Sequence, residues 1–110
     1  MRNETKQTNI PKRVREAVYA RDGGRCVICG SRQGQPNAHY ISRAQGGLGI
    51  ERNLVTLCPD CHRKYDQSGY RPVYRRMIQA YLMAFYPDMR EEELVYRKHR
   101  AGRTPARQDE

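Results

Sequence analysis

Cys26-Val27-Ile28-Cys29, then Ala38-His39-Tyr40-Ile41, then Asn53-Leu54-Val55-Thr56-Leu57-Cys58-Pro59-Asp60-Cys61-His62 is the stretch that decides the fold. It holds all four cysteines of the chain, in two Cys-x-x-Cys pairs. Thiolates at this spacing can both point at one metal, because the knuckle turns backbone amides toward the sulfurs. Two knuckles supply four soft ligands in a tetrahedron, which selects zinc and leaves no open position. The predicted site is structural, with Cys26, Cys29, Cys58 and Cys61 as its ligands. It ties whatever precedes the first knuckle to the end of whatever precedes the second.

Working outward, the chain has 110 residues, enough for one compact domain. Its formal charge is +9 and its pI is near 9.8, the electrostatic footprint of a partner such as nucleic acid. No apolar run is long enough to span a bilayer, so no membrane role is expected. Met1-Arg2-Asn3-Glu4-Thr5-Lys6 lacks the apolar stretch of a signal peptide. The expectation is therefore a cytoplasmic protein, in a compartment where paired Cys-x-x-Cys units hold metal more often than disulfides. A thioredoxin-like redox role suits one such pair better than two. With 37% hydrophobic residues, no Trp and one Phe, the core is thin, and a bound zinc would supply part of the folding free energy.

The periodicity predicts an α+β arrangement. An N-terminal arm, 1–10, precedes a helix from Pro11 to about Arg21. Val14, Ala17 and Val18 share one face of it, and Asp22-Gly23-Gly24 is the stop. Residues 36–43 and 50–58 read as two strands of a hairpin turned by Gly46-Gly47-Leu48-Gly49. Pro59 and Asp60 start a short helix carrying Cys61, His62 and Asp66, ended by Gly69. Tyr70, Val73, Tyr74, Met77, Ile78, Tyr81, Leu82 and Phe85 form an amphipathic stripe whose aromatic and Met residues read as packing residues. Asp88 and Glu91 have the spacing of a capping box for another short helix through about Arg97. The predicted organisation is a core over 11–69, a helical extension over 70–97 and a basic mobile tail over 98–110.

The histidines carry the chemistry. A hairpin followed by a helix puts His39 on a strand facing His62 on the helix, and Asp66 lies four residues after His62 on the same helix face. Two imidazoles and a carboxylate can hold a divalent metal and a water, the parts needed for phosphodiester hydrolysis. Each has a plainer reading. A histidine can be a satisfied core or surface residue, and His62 can be a further zinc candidate. Asp66 can be a surface carboxylate pairing with Arg63. Asn53 is locally unfavourable in a strand and suits a side-chain amide that holds a loop, fixing the turn so that His39 points correctly.

Residues from about Val14 to Asp66 resemble the small, zinc-knuckle HNH endonucleases of phages and bacteria. The likeness rests on the helix, Asp-Gly-Gly-Arg-Cys-x-x-Cys-Gly, Ala38-His39-Tyr40-Ile41-x-Arg43, Gly46-Gly47 and Asn53-Leu54-Val55-x-Leu57-Cys58-x-x-Cys61-His62. It implies a ββα-metal, treble-clef-like fold with C-terminal helices added to it. It implies His39 as general base, Asn53 as the structural Asn, and His62 as ligand of a catalytic Mg²⁺, Mn²⁺ or other divalent ion. The expected partner is double-stranded DNA in a bacterial or phage-infected cell. Arg43, Arg63, Lys64, Arg97, Lys98 and Arg100 would grip phosphates without reading sequence. One position departs from the family. Where an Asp or His usually supplies a second ligand, this chain has Ala38, and Asp66, or more weakly Asn37, is the candidate replacement. The alternative is a zinc-knuckle nucleic-acid-binding module with a weak or lost nuclease site. A zinc-stabilised protein-interaction domain is a third reading.

Overall fold

The computed structural model describes residues 7–96. Helix α1 (Lys12–Arg21) leads into the first cysteine knuckle. Strand β1 (Gln35–His39) follows, then β2 (Leu54–Leu57), α2 (Pro59–Gln67) and α3 (Arg71–Phe85). Short 3-10 turns span Arg43–Gln45, Glu51–Asn53 and Glu91–Leu94. The fold is a small α+β domain, as the sequence implies.

Why α1 starts and stops where it does is local. Pro11, extended at φ −62° and ψ 152°, precedes the first helical residue. Gly23 and Gly24 both take φ 69°, a left-handed conformation that ends the helix and turns the chain toward Cys26. Val14 and Val18 are the buried stripe, packing with Leu54.

The strands pair antiparallel as Ala38↔Val55 and His39↔Leu54, with a one-residue irregularity before Gln35↔Leu57. They are shorter than expected. Residues 40–43 leave the sheet, and 51–53 form a 3-10 turn. The reason is Asn53, whose buried side chain takes over the backbone bonding that a ladder would have made. Its Oδ1 accepts from Ile41 N at 2.8 Å, and its Nδ2 donates to Ile41 O at 3.1 Å and Leu48 O at 2.9 Å. The glycine segment is thus a long loop rather than a tight hairpin turn. Gly47 lies against the chain so closely that a Cβ there would meet Ile41 O at 1.7 Å. The loop is clasped from outside, where Leu48 N donates to Leu94 O at 2.8 Å and Tyr96 N to Gly46 O at 2.7 Å.

All four residues of β2 are buried because the strand is covered on both sides. Leu54 faces α1, while Val55 and Leu57 join a larger core with Tyr40, Tyr65, Ile78, Leu82, Met89 and Leu94. The helix expected to end at Gly69 stops at Gln67, with extended Ser68 as its cap. The stripe on α3 is only partly packed. Ile78 and Leu82 are buried, but Tyr70, Val73, Met77 and Phe85 are exposed. A core this small covers a strip of the helix narrower than the stripe. The capping box is also absent. Glu91 instead accepts from Arg75 Nη2 at 3.0 Å and Gln79 Nε2 at 3.1 Å, and contacts the Tyr40 hydroxyl. A single 3-10 turn replaces the last predicted helix, and its expected end at Arg97 lies outside the described residues.

A buried ion pair joins these parts. Arg21 and Asp22 form a two-pronged contact, with Nε–Oδ1 at 2.7 Å and Nη2–Oδ2 at 3.1 Å. Their side chains are 9% and 0% exposed. Asp22 also accepts from Thr56 N at 2.9 Å and Tyr81 Oη at 2.7 Å, so its carboxylate is saturated. Burial, together with that bond to Asp22, pushes the Tyr81 phenol up to about 12. Arg21 also donates to Glu51 O at 2.9 Å and Leu54 O at 2.7 Å, bracketing Asn53. Its guanidinium lies within 5.9 Å of the ring centroids of Tyr81, Phe85 and Tyr86.

Removing one partner of such a pair strands the other charge in the interior. Asp22→Ala is expected to destabilise the fold by about 3 kcal/mol or more, and Asp22→Asn by less. Urea denaturation of the two variants measures this, and a loss below ~1 kcal/mol, the range of an exposed pair, contradicts it.

Candidate functional site

The thiol cluster lies at the sheet's end. The Sγ atoms of Cys26, Cys29, Cys58 and Cys61 all fall within 4.8 Å of one another. Zinc–sulfur bonds of ~2.3 Å in a tetrahedron separate sulfurs by ~3.8 Å, and Cys29 Sγ lies 3.7 Å from Cys58 Sγ. Cys29 N approaches Cys26 Sγ at 3.5 Å, and Cys61 N approaches Cys58 Sγ at 3.4 Å, the amide-to-sulfur geometry of a knuckle. Burial opposes a Cys26 thiolate, but backbone donors from Cys29, Cys58 and Ile28 outweigh it and bring the thiol down to about 7. Burial and the neighbouring thiols push Cys61 up. Four thiols this close can ionise together only around a cation, so the donor set fits a metal ion.

A second feature is an open cleft of about 1460 Å³ between α1, the loop after β1, and α2. His39, His62 and Asp66 all line it, together with Arg43 and Arg71. Residues from three separate elements converge here because strand alternation and helix periodicity both point that way. His39 is paired with Leu54 and shares its face of the sheet, toward α1. Cys61 and Tyr65 face the core, which turns His62 and Asp66 outward one helical turn apart. His62 Nε2 lies 3.1 Å from Asp66 Oδ2.

His39 is buried, and its Nε2 contacts Thr8 O at 3.0 Å. Burial holds its pKa below 6.5, with Arg43 and His62 adding to the depression. The Thr8 carbonyl and Asp66 oppose it. Ala38 is fully buried in the core opposite Val55 and is not among the cleft residues. Adjacent strand residues face opposite sides of a sheet, so a position next to His39 in sequence need not share its cleft.

The predicted phosphate grip divides. Arg43 lines the cleft and donates to Asn9 Oδ1 at 2.7 Å. Arg63 and Lys64 both engage Asp60, at 2.7 Å and 3.3 Å, and neither lines the cleft. Asp66 is therefore not paired with Arg63. It lies within reach of His62 and, at 4.0 Å, of Arg71. Arg97, Lys98 and Arg100 lie outside the described residues. Lys12 and Arg15 on α1 and Arg71 on α3 enter the cleft without a signal in the motif. Arg71 is held by stacking 4.2 Å from the Tyr65 ring centroid and donating to Tyr65 O at 3.0 Å. Nothing in the local sequence around Arg71 distinguishes it from the other arginines of α3.

Comparison with known proteins decides the family at this point. The HNH endonuclease family model matches residues 26–68, from the first cysteine to just past Asp66. This chain belongs to the HNH endonuclease family. Anaredoxin from Nostoc sp. strain PCC 7120 is 31% identical over 57 residues, covering 51% of this chain and 75% of that protein. The matched HNH segment contains both knuckles, β1, β2 and α2, and ends before α3. Among the described residues, no helix is long and apolar enough to cross a membrane. The four cysteines are also the only described group of three or more potential ligands clustered for a metal ion.

The depressed His39 pKa has a sign. An unfolded chain protonates this ring more readily than the folded one, so His39 contributes stability above its unfolded value near 6.5 and loses it as pH falls through the lower folded value. A histidine NMR titration should give His39 a midpoint below 6.5. A midpoint above that value would show that burial does not dominate its environment.

Proposed function

We propose that this protein is a metal-dependent HNH endonuclease that hydrolyses phosphodiester bonds of double-stranded DNA. The observation that carries this reading is the convergence of His39, His62 and Asp66 on one cleft beside Arg43 and Arg71. His39 is the general base. Buried and with a depressed pKa, it is neutral near pH 7 and free to accept a proton from an in-line water. That water forms the new P–O bond as the bond to the 3′ oxygen breaks. Arg43 and Arg71 offer guanidinium groups to the non-bridging oxygens. Asn53 keeps the loop after β1 in place through its three side-chain bonds.

His62 and Asp66 are the residues that would hold a catalytic divalent ion. They face the cleft side by side, with His62 Nε2 3.1 Å from Asp66 Oδ2, and pair an imidazole with the oxygen donor that a hard divalent ion prefers. The ion would supply charge stabilisation at the phosphate and leaving oxygen. The four cysteines would hold structural zinc, closed to substrate. Lys12 and Arg15 line the same cleft and extend its basic rim, supporting salt-sensitive binding to the phosphate backbone.

One observation favours a second reading. Ala38 supplies no donor and is enclosed in the core, so the cleft offers the ion fewer protein ligands than the family pattern does. A nucleic-acid-binding module with weak cleavage follows if Asp66 does not make up the loss. Ala38→Asp does not restore the ligand simply, because it places a carboxylate in the apolar core.

Two experiments decide these points. Metal analysis of protein prepared under reducing conditions should find one tightly held zinc per chain, and chelation should unfold the domain. A zinc-free protein with an intact fold rules out the structural zinc. Plasmid nicking with Mg²⁺ or Mn²⁺ should fall by ~10² or more in His39→Ala, with zinc and DNA binding retained. Asp66→Ala should raise the metal concentration needed for cleavage. Near wild-type nicking by His39→Ala excludes it as the base, and metal dependence unaltered by Asp66→Ala excludes that ligand.

A further inference from the structure

We infer that Tyr19, Gln35 and Asn37 form a nucleobase subsite in the cleft, where an unpaired base stacks on the Tyr19 ring and is hydrogen-bonded along its edge by the two side-chain amides. The inference rests on the reading of this cleft as a phosphodiester-cutting site and adds a substrate class to it: duplex DNA that carries an unpaired nucleotide close to the scissile bond. All three residues are exposed and line the cleft with His39. The amides are available because β1 bulges. Pairing runs Ala38↔Val55 and then Gln35↔Leu57, so Pro36 and Asn37 together stand opposite Thr56 alone. Thr56 uses its backbone groups elsewhere, its N donating to Asp22 Oδ2 at 2.9 Å and its carbonyl accepting from Val27 N at 3.0 Å. Pro36 has no N–H to offer in return. A regular strand sends alternate residues to opposite faces, but here Gln35, Pro36 and Asn37 all border the cleft.

Helix α1 supplies the stacking surface. Lys12, Arg15 and Tyr19 recur at i, i+3 and i+7 and all reach the cleft, while Val14 and Val18 face the core. The direction of the helix is fixed at both ends. Before its start, Asn9 Oδ1 accepts at 2.7 Å from Arg43, on the loop after β1. Past its end, Gly34 lies against Arg25 and Cys26, since a Cβ on it would be 3.0 Å from Arg25 C and 2.9 Å from Cys26 N. The two cations therefore stand toward the His39 end of β1, and Tyr19 toward Gln35. Tyr19 rests on Gly24, where a Cβ would come within 2.9 Å of the ring carbon Cζ and the hydroxyl oxygen. This backing holds the ring while 47% of the residue stays exposed. An exposed ring beside cationic side chains is the arrangement on which unpaired nucleotides stack. A base inside a duplex has both faces covered by its neighbours, so a stacking ring selects an unpaired one. Each amide carries both donor and acceptor, the pattern of a base edge, whereas the ammonium and guanidinium groups nearer His39 suit phosphates. Tyr19 falls outside the segment matched by the family model, so the stacking ring belongs to the chain beyond the HNH core.

The test is equilibrium binding of the full zinc-loaded chain to a short fluorescent single strand and to its perfect duplex, with no further divalent ion added, so that cleavage does not enter. Tyr19→Ala should weaken single-strand binding by about 5- to 100-fold and duplex binding far less, while Tyr19→Phe, which keeps the ring, binds as the wild type does. An abasic residue walked along the strand should find one position where the wild type loses as much affinity as Tyr19→Ala does, and where Tyr19→Ala loses nothing further. At that position the wild type should prefer one base, and Gln35→Ala with Asn37→Ala should erase the preference. Equal losses on single strand and duplex overturn the stacking role, as does an abasic effect that persists undiminished in Tyr19→Ala. A wild type indifferent to the base overturns the role of the amides. If Tyr19→Ala does not fold by circular dichroism, Tyr19→Leu, which covers Gly24 without a π face, is judged by the same readouts. Failure of the nuclease reading is separate: a chain that shows this binding pattern but nicks no DNA when Mg²⁺ or Mn²⁺ is added rejects that reading and leaves the base subsite standing.

Discussion

The Arg21–Asp22 ion pair is the constraint around which the described chain is arranged. The Asp22 side chain has no exposed surface and that of Arg21 very little, so their donors and acceptors must be met almost entirely by protein. Meeting them fixes four elements at once. Asp22 takes a β2 amide and an α3 hydroxyl, while Arg21 takes carbonyls on either side of Asn53. The end of α1, the start of β2 and the middle of α3 are thereby placed relative to one another. Asn53 sits in the bracket Arg21 makes, and its own amide sets the path of the chain from Ile41 to Leu48. The loop flanking His39 is therefore held by two nested polar systems in addition to the packing of Tyr40 and Ile41 into the core.

That dependence on polar contacts follows from how little apolar material there is. One core lies between the sheet and helices α2 and α3, and a smaller one beneath α1. Burying both faces of β2 uses most of what is available, and several apolar residues of α3 are left in solvent. The thiol cluster closes the far end of the sheet, where Cys26, Cys58 and Cys61 join the larger core and Val27 and Ile28 pack against it. Small domains commonly supplement a thin core with metal or polar cross-links, and this one places a thiol cluster suited to a metal ion at one end of β2 and a polar network at the other.

The cleft shows how strand alternation and helix periodicity combine. One face of the sheet carries Ala38 and Val55 into the core, and the other carries His39 and Leu54 toward α1. On α2, Cys61 and Tyr65 point inward, which directs His62 and Asp66 outward. Tyr65 does more than fill space. Its hydroxyl donates to Tyr40 O at 2.6 Å, and its ring and carbonyl hold Arg71 at the cleft. The residue behind the helix thus connects the core to the charge on the rim.

By itself the sequence determined the family, the four-thiol cluster, the order of helices and strands, and the placement of His62 and Asp66 on one helix face. These are local properties: Cys-x-x-Cys spacing, the i,i+4 relation and the left-handed freedom of Gly23 and Gly24 act over a few residues. Asn53 was legible as a loop-holding residue, although its replacement of strand pairing at residues 40–43 and 50–53 was not. Only the tertiary structure decided the rest. It buried Ala38, gave Asp22 a partner 59 residues away in Tyr81, and turned Glu91 from a helix cap into the partner of Arg75. It brought Lys12, Arg15 and Arg71 to the cleft while leaving Arg63 and Lys64 on Asp60. It also set Thr8 against His39, 31 residues on. Each of these is a contact between segments distant in sequence, chosen by which groups must be satisfied once the chain is compact, and no spacing rule along the chain encodes that choice.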